Sequence, residues 1–504
     1  MSGVTVREVD LRVLNMHTRL PFRYGIATLT VVPHLLLRLH VDVDGTTQIG
    51  QAAEGLPPKW FTKDPQTSFR QEVEDMLRVV RHAGDVALAA GGAATPFDLW
   101  WSVYRTHSAW AASLGLPPLL AGLGPSLVER ALIDAFCRAQ GLTFPTAVRR
   151  NAFGARLGDL HPELDRLAPA ELLPATPLRA VAIRHTVGLA DHLRDGDIPP
   201  AERVDDGLPQ SLAACVQAYG LTHFKVKLYG DVARDRARLR EVAAVLSEHA
   251  GGRYAFSLDG NEQYHAVAEF RALWEALAAE ATLAPFMGHI LFVEQPLHRD
   301  VALSPAAGTD LRAWTSRPPI IIDESDGAIE SLPLALEQGY AGASHKNCKG
   351  VFRSLANACL LEWRRRREPQ RSFVLSAEDL ANVGPVALLQ DLAAVATLGI
   401  DHVERNGHHY FPGLSMFPPD VQQAVLRDHG DLYVRSPHPP SPVWEPSVPL
   451  AQPLPVPFPT LAITQGQVRL DSVVDAPFGA RSLVDPAAFV PLDDWRFESL
   501  GLAE

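Results

Sequence analysis

Apolar and polar positions alternate through VTVREVDLRV near the start of the chain, and an apolar run from Leu29 to Val43 ends at Asp44-Gly45. Alternation sends successive side chains to opposite faces of a strand, and an Asp-Gly pair after such a run predicts a hairpin. From Asp64 to about Arg149 the period changes. In SFRQEVEDMLRVVRHA and SLVERALIDAFCRAQ the apolar residues recur at three- and four-residue steps, which predicts amphipathic helices. Residues 1–150 therefore read as an α+β unit.

From about Leu178 the texture shifts again. The short apolar runs VAIRHTV, FKVKL, YAFSLDG, ILFVEQP, IIIDES, GASHKN, FVLSAED and DHVER alternate with helical patterns such as VARDRARLREVAAVLSEH, AVAEFRALWEALAAE and SLANACLLEWRRR. Eight strand–helix units predict a parallel sheet closed into a (β/α)8-type barrel over residues 151–430. Beyond about Pro418 the chain turns proline-rich (PHPPSPVWEP, PLPVPFP) and then regains strand character in LAITQGQVRLDSV. Residues 431–504 read as a linker and a C-terminal segment that returns to the first unit. The expected fold class is thus α/β: a barrel with an α+β capping domain built from the N-terminal region and the C-terminal return.

Composition narrows the function classes. With 504 residues, 47% of them hydrophobic and 21% charged, the chain is long enough to bury a large core. A net charge of −12 argues against a nucleic-acid partner. The basic run Arg364 to Arg367 follows an apolar helical stretch and reads as a helix C-terminus. No run approaches the length of a membrane span, and the N-terminus lacks the form of a signal peptide. Cys137, Cys215, Cys348 and Cys359 are scattered, without CxxC or zinc-ligand spacing, and read as free thiols of a cytoplasmic protein.

The informative chemistry lies inside the strands. In FKVK, Lys225 and Lys227 share one face while Phe224 and Val226 share the other. The apolar pair must meet the helices, so both lysines point into the barrel, where two like charges are costly unless a site uses them. In FSLDGN, Ser257, Asp259 and Asn261 share a face; Glu294 ends LFVE, and three isoleucines run into Asp323 and Glu324. Asp259, Glu294 and Asp323 follow Lys227 at steps of roughly 30 residues, about one β/α unit each, so they fall on successive strands at the C-terminal rim. Three converging carboxylates would repel one another without a cation. Oxygen donors without cysteine or histidine select a hard ion, Mg²⁺, with Mn²⁺ as the alternative. Lys346 in GASHKN lies on the next strand, so Lys227 and Lys346 flank the three acids. Lys349 has the opposite parity and reads as loop, and His345 as a packed histidine. His408 and His409, in the loop after the last strand, read as bystanders.

The succession KxK, DxN, EQP, DES and a lysine strand resembles the enolase superfamily, and within it the muconate-lactonizing-enzyme-like branch. LPFRYGIATLT, DGTTQIGQAAEGLPP and ERALIDAFCRAQGLTFP resemble its capping domain, SAEDLANVGPVALLQDLAAVA its seventh strand and helix, and VDAPFGARSLVD the C-terminal return. The resemblance implies that Asp259, Glu294 and Asp323 bind Mg²⁺, that Lys227 and Lys346 form the acid/base pair, and that Lys225 lowers the pKa of Lys227. It implies supporting roles for Asn261, Glu324 and Glu378. It places the loops from Leu20 to Ile26 and from Glu54 to Thr62 over the substrate, with Trp60 and Phe61 as candidate contacts. The histidine–aspartate pair of the mandelate racemase branch has no counterpart, since the seventh strand carries Glu378 and the sixth Lys346. Extra segments near Gly196 to Gln210, Ala278 to His289 and Leu303 to Pro319 lengthen the chain.

The implied activity is metal-dependent removal of the proton α to a carboxylate of a small acid. The lysine-on-both-sides layout leans toward racemase or epimerase, cycloisomerase or succinylbenzoate-synthase-like chemistry. An acid-sugar dehydratase is the enzymatic alternative, and a non-catalytic carboxylate-binding barrel the alternative of another class. Whether the chain forms a homo-oligomer is left open.

Overall fold

The computed structural model describes residues 3–204, 206–436 and 457–502, so most of the proline-rich stretch lies outside the described residues. Strand β1 (Val4–Tyr24) pairs antiparallel with β2 (Ala27–Val43), and β2 with β3 (Thr46–Gly55). The second turn is the Asp44-Gly45 pair, both at positive φ (52° and 86°), which matches the twist of a two-residue hairpin. β1 runs on to Tyr24, so most of the expected loop from Leu20 to Ile26 is strand, with a tight turn at Gly25-Ile26. The short strand Val490–Pro491 joins the free edge of β1 and brings the C-terminal segment back to this sheet.

Helices α1 (Phe69–Ala89), α2 (Pro96–Ser113) and α3 (Pro118–Gln140) cover one face. α1 starts where the Ser68 hydroxyl accepts from the Gln71 N–H at 3.2 Å, satisfying a donor that the first turn leaves unpaired. α3 lies so close to β3 that a methyl group on Gly50 would come within 1.9 Å of the Ala131 carbonyl oxygen.

The second body is an α/β array. Strands β4 (Ala180–Val187), β5 (His223–Lys227), β6 (Ala255–Asp259), β7 (Ile290–Glu294), β8 (Ile320–Ile322), β9 (Gly342–His345), β10 (Val374–Ala377) and β11 (His402–Arg405) occupy the eight apolar runs. They pair in parallel in the order β11-β4-β5-β6-β7-β8-β9-β10. Helix α4 (Leu212–Tyr219) follows β4, and helices such as Val232–His249, Val267–Ala278 and Val351–Arg367 follow later strands. The ends of the ladder, β10 and β11, meet at one parallel bridge between Glu378 and Glu404. The result is a curled sheet whose edges touch at a single residue pair.

Strand parity sorts its two faces. Phe224, Val226, Phe256 and Leu258 are fully buried outward, beneath the helices. Inward, the lower layer is filled by Arg184, Phe292 and Ile321, with the Arg184 guanidinium 5.1 Å from the Phe292 ring centre and donating to Ser376 Oγ at 2.8 Å. That plug leaves the upper layer, at the C-terminal strand ends, for polar chemistry. No helix among the described residues is long and apolar enough to cross a membrane.

Candidate active site at the strand ends

Lys227, Asp259 and Glu294 are the last residues of β5, β6 and β7 and stand in register across the sheet. Asp323, Lys346 and Glu378 each come one residue beyond β8, β9 and β10. Pairing thus brings six chemistry-bearing residues to one rim, all of them buried.

Lys225, one layer below, is the hub. Its Nζ lies 2.9 Å from Asp259 Oδ2, 3.0 Å from Glu294 Oε2, 2.8 Å from Glu378 Oε1 and 2.7 Å from Glu404 Oε2. Burial works against its charge, but the four carboxylates outweigh it and hold the ammonium well above the usual lysine range. Lys227 Nζ lies 2.6 Å from Asp259 Oδ2. On the far side Lys346 Nζ pairs with Asp323 Oδ2 at 2.7 Å and with Glu378 Oε2. Burial and Lys225 both lower the Lys227 pKa, as the resemblance implies for Lys225, yet Asp259, with Glu404 and Glu378, prevails and the net shift is upward. Lys346 is likewise raised, because Asp323 and Glu378 overcome its burial.

The carboxylates respond in opposite senses. Burial would raise Asp259, but Lys225 and Lys227 bring it down to about 2. Glu378 is buried too, yet Lys225 and Lys346 hold it well below the usual range. Glu294 is pushed well above, by burial and by the charge of Glu378. Glu324, facing the same cavity, is raised to about 8 by burial and by the nearby Asp323, Glu262 and Asp259.

The donor set fits a hard divalent cation. Carboxylates outnumber ammonium groups at this rim, and a cation there would favour the ionised forms of Glu294 and Glu324, the two whose pKa is raised without one. Both oxygens of Glu294, one of Glu324 and the amide oxygen of Asn261 are buried without a well-directed hydrogen bond, Glu294 Oε2 having only the Lys225 ammonium at 3.0 Å. All four atoms are acceptors, the oxygen chemistry Mg²⁺ selects. Oxygens of Glu294, Asp323 and Glu378 lie within 4.8 Å of one another. Asp259 is not part of that trio: its Oδ2 and Glu294 Oε2 each meet the Lys225 ammonium instead, at 2.9 and 3.0 Å.

The rim is stiffened from behind. Asn261 donates from its backbone to Asp259 Oδ1 at 2.8 Å and from Nδ2 to Oδ2 at 3.2 Å. Gln295 Oε1 accepts from the Asp323 N–H at 2.8 Å and the Ser325 N–H at 3.2 Å, tying two strand ends together. Over the site, Phe22, Tyr24, Leu29, Pro57 and Trp60 of the first sheet and its following loop roof a cavity floored by Lys227, Asp259, Asp323, Lys346 and Glu378. A charged floor under an apolar roof suits a ligand with a polar end and an apolar body. The Trp60 ring centre is 4.9 Å from Lys346 Nζ; Phe61 stands behind Trp60, edge-on at 4.8 Å, and does not line the cavity. Arg299 donates to the carbonyls of Trp60 and Phe61 and pairs with Glu262 at 2.7 Å, so the roof is fastened to the rim.

Two residues enter the site that the strand argument did not select. Glu404, at the inner face of β11, closes the shell around Lys225, and its parity alone would have marked it. Lys349 folds back through the turn Asn347–Lys349 and donates to Asp323 Oδ1 at 2.7 Å and to the Asp323 and Ser344 carbonyls. His345 faces away and bonds Ser354 Oγ at 2.6 Å. His408 and His409 also lie off the cavity, against His185.

No protein-family model and no curated protein sequence matches the chain. Solved structures do. A mandelate racemase/muconate lactonizing protein from Herpetosiphon aurantiacus aligns with a TM-score of 0.54 at 16% identity, over 94% of this chain and 98% of that one. An enolase from Bradyrhizobium, complexed with magnesium and mandelic acid, gives 0.54 at 15% over 93% and 94%. An N-succinyl Arg/Lys racemase from Bacillus cereus gives 0.53 at 15% over 82% and 89%. At such identities the likeness speaks for architecture, and the architecture is plain: along nearly its whole length this chain has the fold of the mandelate racemase and muconate lactonizing proteins.

Proposed function

We propose that the chain is an enolase-superfamily isomerase or lyase that removes the proton α to the carboxylate of a small organic acid. Residues 1–150 and the C-terminal return would form its cap and residues 151–430 a closed (β/α)8-type barrel. The observation that carries the reading is that Lys227 and Lys346 enter one cavity from strands on either side of the three acid-bearing strands.

Asp259, Glu294 and Asp323 would hold Mg²⁺, with Glu378 adjoining. Bound there, the ion would draw the substrate carboxylate to the rim and stabilise the negative charge that develops as the α-proton leaves, usually the largest catalytic contribution. The remaining work belongs to the chain. Lys227 takes the proton on one face once Asp259 is committed elsewhere and no longer holds its ammonium. Lys346, on the other face, returns a proton or steadies the intermediate. Glu324 faces the same cavity, and Asn261 orients Asp259. Trp60 and the apolar roof keep water from the developing charge.

Racemisation or epimerisation uses both lysines as proton carriers, whereas cycloisomerase or succinylbenzoate-synthase-like chemistry needs one, with the other electrostatic. The apolar roof favours these over an acid-sugar dehydratase, whose substrate hydroxyls would need polar partners above the rim. The test is a library of carboxylic acids in D₂O, read for Mg²⁺-dependent deuterium at the α-carbon. Incorporation that stops on chelation supports an enzyme; acids that bind tightly yet never exchange would make this a carboxylate-binding barrel.

A further inference from the structure

A second cluster lies on the other side of β4 from the carboxylates. Arg184 and Thr186 face inward, Thr186 donating to Glu404, so His185 faces outward into the helical layer. There it meets Cys215 of α4 and His409 of the short helix Gly407–Tyr410, and one donor atom from each lies within 4.8 Å of the other two. All three residues are buried, with side chains of two imidazoles and a thiol. We propose that His185, Cys215 and His409 form a second metal site, for a borderline divalent ion of the zinc class, separate from the carboxylate rim.

The spacing suits such an ion. Zinc–sulfur and zinc–nitrogen bonds of about 2.3 and about 2.05 Å at a tetrahedral angle put the two donors about 3.5 Å apart. Cys215 Sγ and His409 Nδ1 are 3.6 Å apart. His408 supplies the outer contact that orients a ligating histidine: its Nε2 lies 3.0 Å from His185 Nδ1, leaving the other ring nitrogen of His185 to face an ion. Nitrogen and sulfur donors distinguish this site from the all-oxygen rim, so the two would select different metals. The nearby cation Arg19 is matched by a buried pairing with Asp206 and turns one nitrogen to the His409 carbonyl at 3.0 Å.

The location suggests what the ion does. His185 and Arg405 are paired residues of β4 and β11, the first and last of the eight strands in chain order and neighbours in the sheet. A bond from β4 to the turn after β11 would clamp that seam, and α4 with it. Far apart in sequence, the donors come together only in the fold. On binding, the Cys215 thiol proton passes to solvent as the metal–sulfur bond forms.

The test uses full-length protein stripped of metal, supplied with excess Mg²⁺ for the oxygen site, and titrated with Co²⁺. A near-ultraviolet thiolate-to-cobalt charge-transfer band is expected, saturating at stoichiometric Co²⁺, erased by Zn²⁺ and missing from Cys215→Ser. A wild-type protein without the band would leave a hydrogen-bonded thiol–imidazole packing cluster and overturn the proposal, whether or not the variant folds. So would a band that persists in Cys215→Ser. Neither outcome bears on the carboxylate rim, whose Mg²⁺-dependent exchange is read separately.

Discussion

Lys346 Nζ stands 4.9 Å from the centre of the Trp60 ring, so a side chain of the first body roofs an ammonium at the rim of the second. A cation over an aromatic face gains more when both are desolvated, as here. The same ring walls the cavity against water. Trp60→Ala is therefore expected to slow α-proton exchange by about tenfold or more while leaving Mg²⁺ affinity unchanged. A matching loss of Mg²⁺ affinity in calorimetry would assign Trp60 to the integrity of the rim instead.

Glu294 offers a cleaner probe of the ion. Burial and the charge of Glu378 push its carboxyl well above the ordinary range, and glutamine keeps the size of the side chain while removing its charge. Glu294→Gln should be at least as resistant to denaturant as stripped wild type at pH 7, because the upward shift means that burial disfavours the charge. It should also lose most of the stabilisation that Mg²⁺ confers on wild type, since ligand-induced stability follows affinity. Equal Mg²⁺ stabilisation in both proteins would remove Glu294 from the ligand set.

Much of this site was legible in the residues. Parity along FKVK, FSLDGN and LFVE placed the Lys225, Lys227, Asp259 and Glu294 side chains on the inner face, because a buried strand has only two faces and the apolar one must meet the helices. Glu404 obeys the same rule in HVER, where Val403 alone marks the apolar face and Arg405 breaks the alternation. Lys349 was illegible, since the turn after Lys346 reverses its direction and parity no longer applies. The net sign of the Lys227 shift is opposite to the one the resemblance implied, because an acid lies 2.6 Å away. The histidine–cysteine cluster depends on long-range packing alone, and no spacing in sequence announces it.

Arg19 and Asp206 join β1 to the segment before α4, and neither side chain is exposed at all. A buried ion pair broken on one side leaves an uncompensated charge. Arg19→Met should cost about 3–5 kcal/mol in denaturant unfolding. The double variant Arg19→Met/Asp206→Asn should recover most of that loss. A double variant as unstable as the single would mean that packing, not charge, is what Arg19 supplies.

Acid sensitivity has a source away from the rim. His34 lies buried in β2, and burial, aided by Arg130, lowers its pKa from 6.5 to about 4. Above pH 6.5 the ring is neutral in both folded and unfolded chains and contributes no pH dependence. As pH falls toward 4 only the unfolded chain takes the proton, so stability is lost across that window, by about 3 kcal/mol from this residue. His34→Gln should flatten the stability–pH curve between those limits; an unchanged slope would place the acid sensitivity elsewhere.

The most direct measurement is the rate at which the α-hydrogen of a turned-over acid exchanges with D₂O under saturating Mg²⁺, in wild type and in Lys227→Ala. With Lys227 as the base, the variant should exchange at least about a hundredfold more slowly while still binding the acid and the ion. Exchange as fast as wild type would contradict the account at its centre.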